Sequence, residues 1–170
     1  MLPVAPERSA PTPPGPRRTP GWGTIGRVPA DDPAQPTETC PGCGAVLVPV
    51  SGPGPSHAGA SASCSRLFEV TLRGLREEAG AHPAGASVVQ LADAAYDAQH
   101  PASGGADRLR AALDRLGAPA DLDLGGTPAA WRTTIADVAA DLDVIDLQVL
   151  VESWARTVRE DWTAAPATRA

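Results

Sequence analysis

Lysine and asparagine are missing from this 170-residue chain, and aromatic residues are scarce. With only four Trp, one Tyr and one Phe, but abundant alanine, the chain is expected to build a thin hydrophobic core from helices. A core of that kind gains stability from a metal ion that crosslinks distant segments. All fourteen basic residues are arginine, a usage that indicates a GC-rich bacterial genome and carries no functional signal of its own.

A positive charge excess is also missing. The net charge is -6, so the chain lacks the field that nucleic acid binding requires. No apolar run approaches the roughly 18 residues of a membrane span, and no apolar segment follows Arg17 and Arg18 as an export signal would require. We therefore predict neither a nucleic acid nor a membrane partner. Whether the partner is a small molecule or a protein stays open.

Disulfide pairing is not favoured by the cysteine count. The chain has three cysteines, and an odd number that includes a C-x-x-C pair favours reduced, metal-bound thiols over a disulfide framework. This usage predicts a cytoplasmic protein.

Proline divides the chain. Residues 1–37 hold ten of the nineteen prolines and no periodic apolar pattern, which predicts a disordered tail. A zinc-knuckle helical domain is predicted over residues 38–164, followed by a short disordered tail at 165–170. Within the domain, residues 45–50 (AVLVPV) predict a short extended segment, which Pro49 confines to an edge.

Helical periodicity dominates the rest of the domain. The fourth predicted helix begins with Thr127 as N-cap and Pro128 at the first helical position, and the fifth carries an apolar stripe that includes Trp154 and Trp162 as core residues. Ser63 and Ser65 are candidate N-caps of the first predicted helix. The fold class is therefore mostly α, a small helical domain with an N-terminal metal knuckle. The five helices are predicted at residues 64–80, 87–100, 105–117, 126–142 and 146–163.

The sequence CPGCG at the start of this domain carries the main chemical signal. Cys40 and Cys43 lie in a Gly/Pro-kinked turn that directs two thiolates at one centre, with Gly42 and Gly44 relieving crowding around it. A disulfide or two inert thiols is the alternative interpretation. Because zinc takes four N or S ligands, two more are needed.

Cys64 and one histidine are the candidates for the remaining ligands. Cys64 starts a predicted helix, whose dipole favours a thiolate, although a free cysteine also packs as a small apolar residue. His100, at the end of the second helix, is the favoured fourth ligand. His57 offers a local spacing, and water or a carboxylate is a further choice. His82 lies in another loop without a companion.

Five motifs occur in the chain in this order: CPGCGAVL, GPSH, SASC, DAAYDAQHP and WARTVREDW. Their succession resembles an uncharacterised bacterial family of the domain-of-unknown-function type that is common in actinomycetes. The resemblance covers roughly residues 39–162 and implies that Cys40, Cys43, Cys64 and His100 match recurring potential ligands, with His57 as a further recurring histidine.

Several polar positions of that family are changed in this chain. Ser65 stands where the family has Trp, Val89 where it has His, and Ala94 where it has Asp, and TAAPATRA replaces a histidine-bearing end. The loss of polar residues with retention of the thiols favours a structural zinc ion in a binding or accessory module. The alternative is a zinc enzyme in which His57 or Asp93 acts as general base on a metal-bound water.

Overall fold

The computed structural model describes residues 35–52, 54, 56–81, 83–102 and 105–165. Residues 1–34 of the predicted N-terminal tail and residues 166–170 of the predicted C-terminal tail lie outside the described residues. His82 also lies outside them. None of the helices in the described part of the chain has both the length and the apolar character needed to cross a bilayer.

Five helices and a two-stranded sheet form the described domain, so the predicted mostly helical fold class is confirmed. Strand β1 pairs antiparallel with β2, with Glu38 opposite Leu47 and Thr39 opposite Val46, and the cysteine knuckle lies in the turn between them. The elements are β1 (Glu38–Thr39), β2 (Val46–Leu47), α1 (Ala62–Ala81), α2 (Pro83–Gln99), α3 (Ala106–Arg115), α4 (Ile135–Ala140) and α5 (Leu147–Ala164).

Helix α2 is the centre of the packing. It contacts α1, α3 and α5, while α4 lies against α1 and α5. Small side chains on α2 allow these close approaches, since Ala92, Ala94, Ala95 and Ala98 are all fully buried. The alanine-rich helix α2 thus packs closely against three neighbouring helices.

The apolar stripe of α5 packs as predicted, but its tryptophans also make specific polar contacts. Trp154 and Trp162 are buried. The Trp154 indole N–H donates to the side-chain oxygen of Gln99 at 3.1 Å, and that of Trp162 donates to the backbone oxygen of Ala98 at 3.1 Å. A buried indole needs such an acceptor. Both bonds attach α5 to the last turn of α2.

The prediction of a fourth helix over residues 126–142 is wrong for the first half of that range. Helix α4 begins at Ile135, and its cap is Thr134, not Thr127. The Thr134 hydroxyl accepts from the N–H of Ala136 at 3.2 Å, and the Asp137 carboxylate accepts from the N–H of Thr134 at 2.7 Å, which forms a capping box. The preceding residues have tertiary partners instead, because Trp131 donates from its indole to the backbone oxygen of Gly42 at 3.0 Å.

The N-terminal cap of α1 also differs from the prediction. The helix begins at Ala62, and the Ser61 hydroxyl accepts from the N–H of Cys64 at 3.2 Å. Ser63, a predicted cap, accepts instead from the N–H of Val50 at 2.9 Å, and Ser65 accepts from the Tyr96 hydroxyl at 3.3 Å. Ser61 therefore fixes the helix turn that carries Cys64.

Candidate metal centre

Three separate segments bring Cys40, Cys43, Cys64 and His100 together. The knuckle between β1 and β2 supplies two thiols, the first turn of α1 supplies the third, and the residue after α2 supplies the imidazole. Their candidate ligand atoms all lie within 4.8 Å of one another, and all four residues are buried. The three cysteines are free, so the alternative of a disulfide in the knuckle is wrong for this structure.

The separations between these atoms fit tetrahedral zinc coordination. Two sulfurs bound about 2.3 Å from a tetrahedral centre lie about 3.8 Å apart, and a sulfur and an imidazole nitrogen lie about 3.5 Å apart. The Sγ atoms of Cys43 and Cys64 are 3.8 Å apart. The Nε2 atom of His100 lies 3.4 Å from the Sγ of Cys40 and 3.5 Å from that of Cys64. These three separations match those of neighbouring ligands around a tetrahedral zinc ion.

The imidazole of His100 is oriented for metal binding by the helix that precedes it. Its Nδ1 lies 2.7 Å from the backbone oxygen of Tyr96, one turn earlier. Because a carbonyl oxygen only accepts, Nδ1 carries the proton, and Nε2 is the atom that faces the three sulfurs. A second partner that fixes the tautomer in this way is typical of metal-binding histidines.

The four groups influence one another's protonation. Hydrogen bonds from Cys43 and Cys64 lower the pKa of the Cys40 thiol, whereas the corresponding bonds with Cys40 and Cys43, together with burial, raise the pKa of Cys64. Burial alone would lower the pKa of His100, but its contacts with Cys40 and Cys43 outweigh that effect and raise the pKa to about 9. A divalent cation would replace these shared protons, so metal binding should release protons.

Outer contacts support two of the sulfurs. The Ser61 N–H points at the Sγ of Cys40 at 3.4 Å, and the Tyr96 hydroxyl points at the Sγ of Cys64 at 3.6 Å. Both donors would stabilise a thiolate. The Tyr96 ring also stacks on Phe68, with ring centroids 4.0 Å apart, which holds the hydroxyl in place. Burial raises the pKa of Tyr96, so the hydroxyl stays protonated as a donor.

Glycine is required where the knuckle meets α2. A Cβ atom on Gly42 would lie 2.6 Å from the backbone oxygen of Gly59 and 2.8 Å from that of Gln99, and it would overlap the His100 ring. Distances below 3.0 Å are not tolerated by real Cβ atoms, so the knuckle can approach the imidazole this closely only without a side chain. Gly44 follows with a φ of 74° and closes the turn.

His57 lies next to the cluster but faces a different partner. Its Nε2 is 2.8 Å from the Oδ1 of Asp97, and its ring packs edge-on against Tyr96 and His100, with ring centroids 5.0 and 5.7 Å away. The carboxylate can only accept, so Nε2 donates the proton. The structure therefore brings His100, and not the rival His57, to the three thiols.

Asp93, the other predicted general base, is paired with a cation. Its Oδ1 lies 2.7 Å from the Nη2 of Arg76, and both side chains line a cavity that also contains His57. His57 and Asp93, the alternative general bases of the enzyme interpretation, thus both line this cavity. Asp97, the residue that contacts the imidazole, was not predicted. His57 and Asp97 are forty residues apart, and no local pattern could have paired them.

One face of α2 serves both the cluster and this cavity. Asp93, Tyr96, Asp97 and His100 follow the i, i+3, i+4, i+7 spacing of a single helix face. The Tyr96 hydroxyl was not predicted from the sequence as a partner of Cys64. Its position one turn before His100 was the signal that could have identified it.

The family of the chain is shown by sequence comparison. Residues 38–126 match the model of a family described as a family of unknown function, DUF5946. The matched segment is more than half of the chain and includes the knuckle, α1, α2, α3 and all four residues of the cluster. No curated protein and no solved structure matched the chain. The chain therefore belongs to this family, and its predicted membership of an uncharacterised family is confirmed at that level.

Proposed function

We propose that this protein binds one zinc ion through Cys40, Cys43, Cys64 and His100, and that the ion is structural. The observation that carries the proposal is the buried set of three sulfurs and one imidazole nitrogen within 4.8 Å of one another, three of whose separations match a tetrahedral zinc site. Such a set fills all four positions that zinc uses in structural sites.

Zinc is the metal that best fits the donor chemistry. Thiolate and imidazole ligands select zinc, copper(I) or iron over magnesium and calcium, which take oxygen ligands. A tetrahedral arrangement of sulfur and nitrogen is typical of zinc. The second contact of His100 and the N–H and O–H donors directed at the sulfurs add the outer shell expected around such an ion.

A zinc ion here would join three segments that are separate in the sequence. The sheet has only two residues in each strand, which is too short to be stable alone. The ion would attach the knuckle to the start of α1 and the end of α2. Zinc binding would in this way complete a core that is rich in alanine. We infer that the folded domain then acts as a binding or accessory module in a bacterial pathway. The three free thiols support a reducing, cytoplasmic setting.

Metal analysis of the purified protein tests this proposal. Protein produced in a reducing, zinc-supplemented host should contain about one zinc per chain, and its three thiols should react with a thiol reagent only after chelation. Substitution with cobalt(II) should give the intense visible absorption of a tetrahedral thiolate site.

Two histidine variants make this test specific. His57→Asn should keep the zinc content and the cobalt spectrum, because Nε2 of His57 is paired with Asp97. His100→Asn should change the spectrum by removing one nitrogen ligand. Protein that purifies without metal under these conditions, or a spectrum that responds to His57→Asn and not to His100→Asn, would overturn the proposed ligand set.

A zinc enzyme is the second candidate, and the pairing of His57 with Asp97 beside the cluster is the observation that favours it. Catalysis by a metal-bound water needs an open coordination position. The proposed set of four protein ligands leaves none. The enzyme interpretation therefore requires a ligand to dissociate, and it predicts a cobalt spectrum that changes on adding small anions such as azide or cyanide. The structural interpretation predicts no change.

A further inference from the structure

A cavity of about 420 Å³ lies beside the cluster, on the side of His57. Its volume is in the range of pockets that bind small molecules. The loop before α1, together with α1, α2 and α3, lines it with polar side chains that include Arg76, Asp97, Arg108 and Arg115. Arg108 and Arg115 are seven residues apart on α3, which places both on one face of that helix.

Two atoms of residues that line this cavity have no hydrogen-bond partner. They are the Nδ1 of His57 and the Nε of Arg76, and they account for two of the three unpartnered buried side-chain nitrogen and oxygen atoms in the described part of the chain. Unpaired buried polar atoms are uncommon and costly in native proteins. Both residues line the same cavity, which makes a molecule bound there a candidate partner for these atoms.

The cavity is lined by three guanidinium groups and three carboxylates, so its formal charges balance. Arg108 makes two hydrogen bonds to Asp97, at 2.7 and 2.9 Å. Arg76 lies 2.7 Å from Asp93 and 3.9 Å from Glu69. Each carboxylate at the cavity therefore has a cationic partner, whereas Arg115 has no ion pair among the described residues. Arg76 faces two carboxylates, which leaves the guanidinium of Arg115 available to a ligand.

The state of Asp97 agrees with this arrangement. Burial alone would raise its pKa, but the hydrogen bonds and charges of Arg108 and His57 outweigh that effect and lower it. Asp97 is thus an ionised anchor that holds both Arg108 and the His57 ring. Its two oxygens already accept from these groups, so it does not serve as a partner for the Nε of Arg76 or for Arg115.

We propose that this cavity binds a small hydroxylated oxyanion, a molecule with a carboxylate or phosphate group and a neighbouring hydroxyl. The oxyanion would accept from the Nε of Arg76 and from Arg115, since guanidinium groups match carboxylate and phosphate oxygens. The hydroxyl would bond to the Nδ1 of His57, because a hydroxyl both donates and accepts. This ligand site goes beyond the metal site and does not depend on the identity of the ion.

Titration of the intact, metal-loaded protein tests the site. The probes are inorganic phosphate, glycerol 3-phosphate and malate, each added at constant ionic strength with chloride as the reference anion. The readout is the NMR resonance of the Arg76 Nε–H group, which an accepted hydrogen bond would shift. We expect saturable binding. Glycerol 3-phosphate or malate should bind more tightly than inorganic phosphate, because only these two probes also carry a carbon-bound hydroxyl group that can bond to His57.

Arginine variants separate a built site from general attraction of anions. Arg76→Gln and Arg115→Gln should each weaken probe binding by about tenfold, the loss of one charge-assisted hydrogen bond. Binding to Arg76→Gln, which lacks the reporting Nε–H group, is measured by calorimetry. Arg115→Gln keeps the Arg76 resonance as a readout and serves if Arg76→Gln folds poorly. Arg73→Gln is the matched control, since it removes the same charge from an exposed position on α1 and should leave binding unchanged.

Three results would overturn this assignment. They are the absence of saturable binding by all three probes, equal affinities in Arg115→Gln and the wild type, or an equal loss in Arg73→Gln. Zinc content is measured in the same samples. A variant that loses probe binding but keeps its zinc supports the ligand site alone, and loss of zinc from the wild type would count against the proposed metal function without affecting this test.

Discussion

Single residues at the junction of the knuckle and α2 have little freedom to change. Gly42 lies against the His100 ring and two backbone oxygens, and its own carbonyl accepts from the Trp131 indole. The His100 ring is in turn fixed by Tyr96. The position of the His100 ring thus depends on residue 42 having no side chain, so this glycine is as important to the site as the candidate ligands.

Replacement of Gly42 by alanine should therefore destabilise the protein. The added methyl group would force the knuckle away from α2, and overpacking of this kind costs about 1–3 kcal/mol. Gly74→Ala is the matched control, because a Cβ at this position in α1 meets nothing within 4 Å and should stabilise the helix by about 0.5–1 kcal/mol. Urea unfolding of both metal-loaded variants gives the two values. Equal effects with the same sign would contradict the predicted clash.

At the scale of elements, α4 shows how a short helix is fixed by its first residue. Six residues make too few internal hydrogen bonds for a stable isolated helix. The capping box of Thr134 and Asp137 supplies two more bonds at its start, and Ile135 and Val138 bury its apolar side. Arg132 meanwhile donates to Asp161 of α5 at 2.5 Å, which anchors the preceding loop.

The cap predicts a measurable difference between two adjacent threonines. Thr134→Ala should lower the free energy of unfolding by about 1 kcal/mol, because it leaves the Ala136 N–H without its acceptor. Thr133→Ala should have a smaller effect, since Thr133 uses only its backbone oxygen, which accepts from Gln99 at 2.8 Å. Denaturant unfolding of the two variants would refute the capping argument if Thr133→Ala were the more destabilising.

Helix periodicity predicted some elements better than others, and α4 and α5 show why. The apolar stripe of α5 runs through eighteen residues, so the pattern was long enough to fix both its existence and its buried face. Thr127 and Pro128 gave a local start signal for α4 that was equally strong in the sequence. The hydrogen bonds of Trp131 to Gly42 and of Arg132 to Asp161 overrode this local signal. These two partners lie 89 and 29 residues away in the sequence.

The residues of the candidate metal site could be proposed from the sequence, but their arrangement in space could not. The C-x-x-C spacing identified Cys40 and Cys43 directly, because both ligands lie in one turn. The choice between His57 and His100 depended on how α2 lies against the knuckle, and both spacings were compatible with zinc. Separations of 60 and 36 residues link His100 to its two nearest sulfurs. Only the packing of α1 on α2 brings it there.

At the scale of the whole molecule, the proposed zinc ion connects the knuckle with the two helices that form the centre of the core. Removal of the ion would leave three thiols and an imidazole crowded together and buried. Burial of such groups without a compensating charge is unfavourable. Because the unfolded chain does not present this site preformed, the free energy of zinc binding contributes directly to folding.

Chelation of the metal should therefore lower the midpoint of thermal unfolding by about 10 °C or more, as expected when a ligand that contributes several kcal/mol is removed. Circular dichroism at helical wavelengths, with and without a strong zinc chelator under reducing conditions, provides the measurement. Cys40→Ser is the control, because a protein that has already lost a ligand should melt early and respond little to the chelator. A chelated wild-type protein that keeps its helices and its melting temperature would contradict a structural role and favour the enzyme interpretation, in which the ion can leave a folded domain.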